Sequence, residues 1–514
     1  MAVTEFPSAN FVHARVQEIA RNDPDRVVVL GAGQTVTYAQ LQIMVEKFEG
    51  VLTQGKVKKG DRIALLAPPS LDFLVAYLAI SSYGAIFLGL NPKYTRSELE
   101  YIISDSEPAM IFGRRNVRGR NYESDLQSFD VCLLLYDDFA ELLATNEASN
   151  GRIEVSYEDP CALIYTSGTT GKPKGALIPH GGLAECCLAQ VAVIGLERPI
   201  VLNNLPINHI GCIGDISAYA LMAGGAIVFQ EKYDPGGVLD LIEKHGVTWW
   251  GQIPTMFQIS LNEQDKTPRD LSSIARIFTS GAPAPIALIE RLRDITPRIQ
   301  NGYGMTETVG SITWVADGDN ETLATTIGKP IAPYRVRLAD GAGTLTPRGE
   351  TGEVQVKGRM HMLGYWRNSE ATAEAVTPDG WLRTGDLAIE QADGNYKLVG
   401  RLKEAFKSGG YNVYPREIEQ ALERLDGIDA AIVVPIPDPL FHEVGYAFLV
   451  PSQGGGIETA HIARQLKDQL ANYKIPKQFE ILLQPPLLPN GKLDRKSLRA
   501  QAMETHARSV KSAL

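Results

Sequence analysis

Nothing in this 514-residue sequence builds a disulfide scaffold, a metal cage or a membrane anchor. Its five cysteines, at 132, 161, 186, 187 and 212, form no Cys-x-x-Cys pair and no His/Cys metal spacing. They read as reduced, mostly buried thiols of an intracellular enzyme. The opening MAVTEFPSANF has neither a basic n-region nor an apolar h-region, so no secretory leader is expected. Basic residues are outnumbered by acidic ones, 50 to 60, for a formal net charge of −10 at pH 7. A surface of that sign repels nucleic acid and anionic membrane, and neither is an expected partner. Internal repeats and low-complexity tracts are missing. The longest uncharged run, FLVAYLAISSYGAIFLGL at 73–90, barely reaches bilayer length. Ser81, Ser82 and Gly84 interrupt it, Asp72 abuts it and Asn91-Pro92 follows. It reads as a buried helix ending at Gly84, then a short parallel strand, with no integral membrane segment. The C-terminal Ser-Ala-Leu resembles the peroxisomal Ser-Lys-Leu address without its basic middle residue. The cytoplasm is the expected compartment, with a weak peroxisomal address as the alternative.

Against these absences stands one dense polar motif, YTSGTTGKPKG at 165–175. Glycines let the backbone turn its N–H groups toward an anion, Ser and Thr add hydroxyl donors, and lysines add charge. The apolar CALIY (161–165) precedes it and reads as a strand, which argues against a mere flexible linker. Gly175 is followed by Ala176 and not by Lys-Ser/Thr, so the motif is not a Walker A loop. It is a nucleotide phosphate loop of another kind.

At this length two or more domains are expected. Strand-like and helix-like runs alternate to about residue 330, with RVVVL, DRIALLA, PAMIFG, AIVFQ, VTWWGQ and RIFTSG as strands. This rhythm predicts an α/β fold in which two βαβ-type sheets make up a large N-terminal domain. From 330 to about 400, short strands with Gly-rich turns (RVRLADGAGTL, GEVQVKG, YKLVG) predict a small β-rich subdomain. Beyond Arg401 the helix YPREIEQALERL, the strand AAIVVPIPD and the helix HIARQLKDQLANY predict a separate α+β domain. The boundary is placed within GRLKEAFKSGG (400–410), giving domains of 1–400 and 401–514.

Four further motifs carry chemistry. NGYGMTET (301–308) offers a Gly-Tyr-Gly turn suited to stacking on a purine, a Thr306 hydroxyl near phosphate and a Glu307 carboxylate for Mg²⁺. A simple loop with a helix N-cap at Thr306 is the alternative. DGWLRTGD (379–386), leading into the β-rich stretch, places Asp386 to accept from two ribose hydroxyls, or to make an Asx turn. GRLKEAFKSGG sets Arg401, Lys403 and Lys407 at the domain junction, and LLPNGKLDRKSL puts Lys492 behind an Asn-Gly turn, where a lone lysine is usually just solvated.

Taken in order over more than 300 residues, these motifs resemble the acyl- and aryl-CoA synthetases of the adenylate-forming superfamily. TVTYAQL and KKGDRIALL extend the resemblance toward the N-terminus. The resemblance implies ATP, Mg²⁺ and coenzyme A as cofactors and a small carboxylic acid as substrate, and it admits a homodimer. By it, Thr166, Ser167, Gly168, Thr169, Thr170, Gly171 and Lys174 hold the β- and γ-phosphates. Adenine lies against Gly281, Ala282 and Pro283 and against Asn301, Gly302 and Tyr303. Thr306 touches the α-phosphate, Glu307 the magnesium, and Asp386 and Arg401 the ribose. Lys492 offsets the repulsion between the attacking carboxylate and the α-phosphate. Lys403 falls at the hinge about which the C-terminal domain turns between half-reactions, exchanging Lys492 for the face that carries Gly410.

His209, in LPINHIGCIG, matches a histidine between acyl pocket and pantetheine tunnel; a buried structural histidine is the alternative. The acyl pocket is expected around His209, Gly211, Asp215, Gly302 and Met305. Asp215 either selects a polar or cationic substituent or caps the apolar helix ISAYALMAGG, and the cap is the blander reading. Trp249 and Trp250 read as strand core. Glu404 and Asn301 stand where relatives often carry Asp and Gln, both mild departures. An enzyme that hands its acyl group to a carrier-protein thiol and a catalytically silent nucleotide-binding protein are the rival readings. The absence of a carrier domain speaks against the first, and intact Lys492, Glu307 and Lys174 against the second.

Overall fold

The computed structural model describes residues 10–31, 34–149, 153–166, 172–452, 459–487 and 493–512. Two large sheets organise the N-terminal part. In the nine-stranded sheet the six strands Ile299–Met305, Arg276–Ser280, Trp249–Gln252, Ile200–Asn203, Ala226–Phe229 and Val27–Gly31 run parallel in that order. Antiparallel strands close both edges. The seven-stranded sheet has a parallel core of five, with Pro160–Thr166 beside Ile86–Leu90. Fully buried strands such as Ile86–Leu90 explain the continuous apolar runs, because parallel strands are covered on both faces.

The 73–90 run divides as expected. Leu71–Ser82 is a helix started by the Ser70 hydroxyl, and every residue from Asp72 to Ser82 is buried. A helix apolar all round belongs between layers. With the largely buried His180–Ile194 it contributes to one core that also takes residues from both sheets. Among the described residues no helix is long and apolar enough to cross a membrane. A second core covers the other face of the nine-stranded sheet, and a third lies on the seven-stranded one.

The β-rich stretch is a four-stranded antiparallel sheet of Arg335–Ala339, Thr351–Lys357, Leu382–Glu390 and Tyr396–Arg401. Most of DGWLRTGD lies inside this sheet instead of leading into it, since Leu382–Asp386 is already strand. C-terminal to it, two cores are built wholly from residues between Phe406 and Ala502. They pack Pro415–Leu422 and Arg495–Ser512 against a sheet centred on the long pair Ile428–Asp438 and His442–Pro451. The helix expected over HIARQLKDQLANY is shorter: it runs Thr459–Gln465 and gives way to one 3₁₀ turn, Leu466–Asp468.

Candidate active site

The phosphate motif is a hairpin. Pro160–Thr166 pairs antiparallel with Lys174–Pro179, and Thr166 faces Lys174 across the ladder. A Walker A loop leads from strand to helix, so this geometry agrees with the mismatch read from Gly175-Ala176. Ser167, Gly168, Thr169, Thr170 and Gly171 lie outside the described residues, as does Lys492. At the hairpin's base Thr166 donates to the Lys174 carbonyl (3.4 Å) and to Glu307 Oε1 (3.5 Å). Tyr365 donates to the same Glu307 oxygen at 2.8 Å, and Lys174 Nζ stands 5.1 Å from the Tyr365 ring centroid. Thr166 and Tyr365, 199 residues apart, thus meet at the Glu307 carboxylate, with Lys174 beside the Tyr365 ring.

Glu307 is 6% exposed and sits in the 3₁₀ turn Thr306–Thr308. Thr306 opens this turn instead of capping a helix. The turn is pinned from several sides. Thr308 Oγ1 donates to the carbonyls of Met305 and Gly310, Tyr334 donates to the Thr308 carbonyl, and the Met362 N–H donates to that of Glu307. Val309 follows at φ 64°, a conformation costly for a β-branched residue. The surrounding contacts hold this strained residue in place. The glycines of Gly-Tyr-Gly have a plainer reason than purine access: a Cβ on Gly302 would stand 2.8 Å from the Phe278 ring, and one on Gly304 would strike the Gly310 carbonyl.

The expected nucleoside residues come from the C-terminal ends of two adjacent parallel strands, where Ser280 pairs with Gly302. Ligands of open α/β sheets bind outside such strand ends. Gly281, Ala282 and Pro283 form an exposed lip there. Asn301 corrects the expectation: its amide donates to the carbonyls of Leu323 (3.1 Å) and Thr326 (3.0 Å), so its side chain ties down the end of helix Asn320–Thr325. Both amide hydrogens of Asn301 are thus committed within the fold.

Asp386 is no Asx turn. It sits in a strand opposite Arg401, whose Nε lies 2.8 Å from Oδ1, while Tyr303 donates to Oδ2 at 2.6 Å. Burial, then the Asp386 charge, pushes the Tyr303 phenol well above its usual range, so it stays a donor. The carboxylate keeps lone pairs beyond these two bonds and can still accept from ribose hydroxyls. Asp386 holds Arg401 firmly cationic.

On the other side of the Met305–Gly310 turn lies the expected acyl pocket. The Gly211 N–H donates to His209 Nδ1 at 3.0 Å, which leaves the ring proton on Nε2. The chain then forms a π-helix, Gly211–Ala218, a rare element that often marks functional sites. Asp215 is inside this helix and not at its start, so it is not an N-cap. Its Oδ1 accepts from Gln190 Nε2 at 2.6 Å, and a Cβ on Gly310 would come within 3.0 Å of it. Trp249 and Trp250 are core, as read.

Lys403 is exposed in the turn between Tyr396–Arg401 and Phe406–Ser408, and Gly409-Gly410 make a two-residue hairpin with φ of 57° and 87°. Both angles suit a type I′ turn, which favours glycine. Sequence reasoning missed Tyr365, Tyr334 and Gln190; the only signal was a Gly-Tyr-Trp run at 364–366 that belongs to no chemistry by itself. Among the described residues no group of three or more His, Cys, Asp or Glu side chains is arranged to hold a metal. One buried carboxylate beside a hydroxyl suits magnesium, which takes one or two protein oxygens and completes its shell with phosphates and water.

A sequence profile of the AMP-binding enzyme family matches residues 16–366, and one of the AMP-binding enzyme C-terminal domain matches 417–492. Feruloyl-CoA synthase of an Amycolatopsis species is 34% identical over 486 residues, covering 93% of this chain and 96% of that protein. Indoleacetate–CoA ligase of Aromatoleum aromaticum is 30% identical, covering 93% and 95%. The crystal structure of ATP-bound MatB from Rhodopseudomonas palustris superposes with a TM-score of 0.87 at 29% identity, covering 96% and 98%. The chain therefore belongs to the AMP-binding, adenylate-forming enzyme family.

Proposed function

We propose that this site activates a small carboxylic acid with ATP and passes the acyl group to coenzyme A. The chain is an AMP-forming acid–CoA ligase. The observation that carries this reading is the meeting of Thr166 and Tyr365 at Glu307, with Lys174 over the Tyr365 ring, on the same strand-to-turn segment as the Tyr303–Asp386–Arg401 cluster. A cationic and hydroxyl-lined end faces a polyphosphate, and a carboxylate end faces a ribose.

In the first half-reaction a carboxylate oxygen attacks the α-phosphorus and the bond to pyrophosphate breaks. Lys174 and the phosphate loop hold the departing group, and Thr306 and Lys492 meet the charge at the α-phosphate. Thr166 and Glu307 would hold Mg²⁺, which supplies further positive charge when bound. In the second, the coenzyme A sulfur attacks the acyl carbon, the thiol proton is lost and AMP leaves. His209, with its proton on Nε2, stands at the junction of acyl pocket and thiol path. The junction at 400–401 is the proposed boundary of a mobile C-terminal domain with Lys403 as its hinge, supported by the separate cores beyond Phe406. The cytoplasm is the proposed compartment, supported by five unpaired cysteines, four of them buried. A homodimer and the lack of a nucleic-acid partner stay part of this reading.

A panel of fatty, benzoic, cinnamic and amino-substituted acids, assayed by ATP–pyrophosphate exchange, tests the activity. Exchange that needs both an acid and Mg²⁺ is expected; none with any acid would overturn the reading. Lys492→Ala should lower adenylate formation at least about 100-fold yet still convert a supplied acyl-adenylate to thioester. Equal loss of both half-reactions would remove the domain-alternation role.

A further inference from the structure

Lys172-Pro173-Lys174 leads into the second arm of the phosphate hairpin, and each of its lysines lies over a tyrosine ring. Lys174 Nζ stands 5.1 Å from the Tyr365 centroid, and Lys172 Nζ stands 5.3 Å from that of Tyr101. Both tyrosine hydroxyls are already engaged. Tyr365 donates to Glu307 and Tyr101 to the Pro173 carbonyl, each at 2.8 Å. Lys174 belongs to the site described above, whereas Lys172 has no role in it so far. It is exposed, and among the described residues it makes no ion pair and has the Tyr101 ring as its partner.

Tyr101 projects from a platform that grips both arms of the hairpin. Its helix, Arg96–Ser106, also carries Asp105, whose carboxylate accepts from the Tyr165 hydroxyl of the first arm at 2.5 Å. Trp366 Nε1 donates to the Asp105 carbonyl at 3.0 Å, and the Trp366 N–H donates to the Gly175 carbonyl of the second arm at 2.7 Å. The Tyr101 and Tyr165 rings meet edge to face at 6.5 Å. The sequence adds stiffness, because Pro173 has a fixed φ and confines the Lys172 backbone to extended conformations. The root of the Lys172 side chain is thereby set, while its ammonium is held by a cation–π contact alone. At an exposed position that contact is weaker than a charge-assisted hydrogen bond to a phosphate oxygen. On a chain of net charge −10, an anion has to be held by local cations of this kind.

We propose that Lys172 is a second cation for the ATP polyphosphate and that Tyr101 is its positioning residue, holding the ammonium beside the hairpin until a phosphate oxygen replaces the ring. This rests on the reading of the hairpin as the ATP site and adds a pair of residues to it. Tyr101 acts in two ways. Its hydroxyl anchors the Pro173 carbonyl and so fixes where the lysine starts, and its ring fixes the direction in which the lysine extends. When pyrophosphate departs, the ammonium has the ring to return to.

Calorimetric titration of the full chain with MgATP and with AMP tests this, because AMP lacks the phosphates that Lys172 would meet. Lys172→Met should weaken MgATP binding at least about 10-fold and leave AMP within about twofold, and Lys172→Arg should recover most of the loss. Tyr101→Leu should weaken MgATP about fivefold with AMP again unchanged. Tyr101→Phe keeps the ring and frees only the Pro173 carbonyl, so its loss should be smaller. With Lys172 already replaced by Met, adding Tyr101→Leu should cost less than about twofold more, since the tyrosine acts through the lysine. Retained AMP affinity shows that the variants are folded. Full MgATP affinity in Lys172→Met, an equal loss of MgATP and AMP in Tyr101→Leu, or additive losses in the double variant overturns the proposal while the ligase reading stands on the acid panel. Failure of the unaltered protein to bind either nucleotide removes the ligase reading and this inference with it.

Discussion

Glu419 and Asp215 are both carboxylates taken into the protein, and their surroundings could hardly differ more. Glu419, on helix Pro415–Leu422 and 1% exposed, lies 2.8 Å from Arg495 Nη1 and 3.5 Å from Arg416 Nη1, and accepts the Val433 N–H at 3.0 Å. Arg416 is paired in turn with Glu423 at 2.9 Å, and Arg495 also donates to the Val433 carbonyl. Burial works to raise the Glu419 carboxyl, but the Arg495 and Arg416 guanidiniums outweigh it and hold it below its usual range. Asp215 has an amide and a backbone N–H only, and burial pushes it up to about 6. In the first network each carboxylate has a guanidinium partner within the C-terminal domain, and the one donor left over is the buried Arg416 Nε. The second has two neutral donors and no cation among the described residues. A buried charge marks a functional site when its compensation is missing, not merely because it is buried.

The strongest way to break this contrast is to remove the centre of the first network. Glu419→Gln leaves two guanidiniums buried around a neutral amide, and losing one partner of a buried pair costs about 3–5 kcal/mol. Urea unfolding should show that loss. Since Arg495 lies three residues after Lys492 and reaches toward Glu404 beside the proposed hinge at Lys403 (3.8 Å), adenylation should fall with it. A cost below about 1 kcal/mol would mean that water or rearrangement already screens the cluster, and Glu419 would no longer contrast with Asp215.

The second carboxylate should respond in the opposite direction. The folded Asp215 carboxyl titrates near 6 against an ordinary 3.8, so the native state holds this proton more tightly than the unfolded chain. Its contribution to stability is therefore full below about pH 4 and is lost as pH rises through 6. By pH 8 the ionised group costs up to about 3 kcal/mol, because holding a proton up to about pH 6 instead of 3.8 is worth about 1.4 kcal/mol per pH unit. Cys186 and Tyr334 stay protonated through this window and do not confuse it. Asp215→Asn should thus raise the unfolding free energy by about 1–3 kcal/mol at pH 8 and by almost nothing at pH 4. Lower stability at pH 8 would show that the carboxylate is compensated inside the fold, and the contrast with Glu419 would fail.

The two regions also differ in how far they can be read from sequence. Motifs whose residues act through backbone or charge at fixed spacing were visible: the hairpin loop, Glu307, Asp386 with Arg401, and the division of the 73–90 run into helix and strand. What stayed hidden depended on contacts across long separations. Tyr365 meets Glu307 over 58 residues and Gln190 meets Asp215 over 25, and neither spacing carries a local period. Asp215 before an apolar stretch reads as a cap because Asp commonly caps; only the π-helix, set by tertiary packing, turns it inward. Asn301 shows the same limit: its place in a nucleotide motif is visible, but the helix end that its amide ties down lies about twenty residues on. The glycines at 302 and 304 were read for a ligand when the protein's own neighbouring groups require them.

The smallest effect supplies the control. Arg96 and Glu100, both well exposed, pair at 2.9 Å one turn apart on helix Arg96–Ser106. The geometry is as short as that of Arg495 with Glu419, so distance alone would rank the two pairs together. Water screens the exposed pair, and with Arg preceding Glu the orientation runs against the helix dipole. A double-mutant cycle of Arg96→Ala and Glu100→Ala should therefore give a coupling no larger than about 0.5 kcal/mol, and smaller still in about 0.5 M salt. A coupling above about 1 kcal/mol would mean that contact geometry outranks burial in this protein. In that case the lack of a cation at Asp215 would say little, and its contrast with Glu419 would rest on the pH dependence alone.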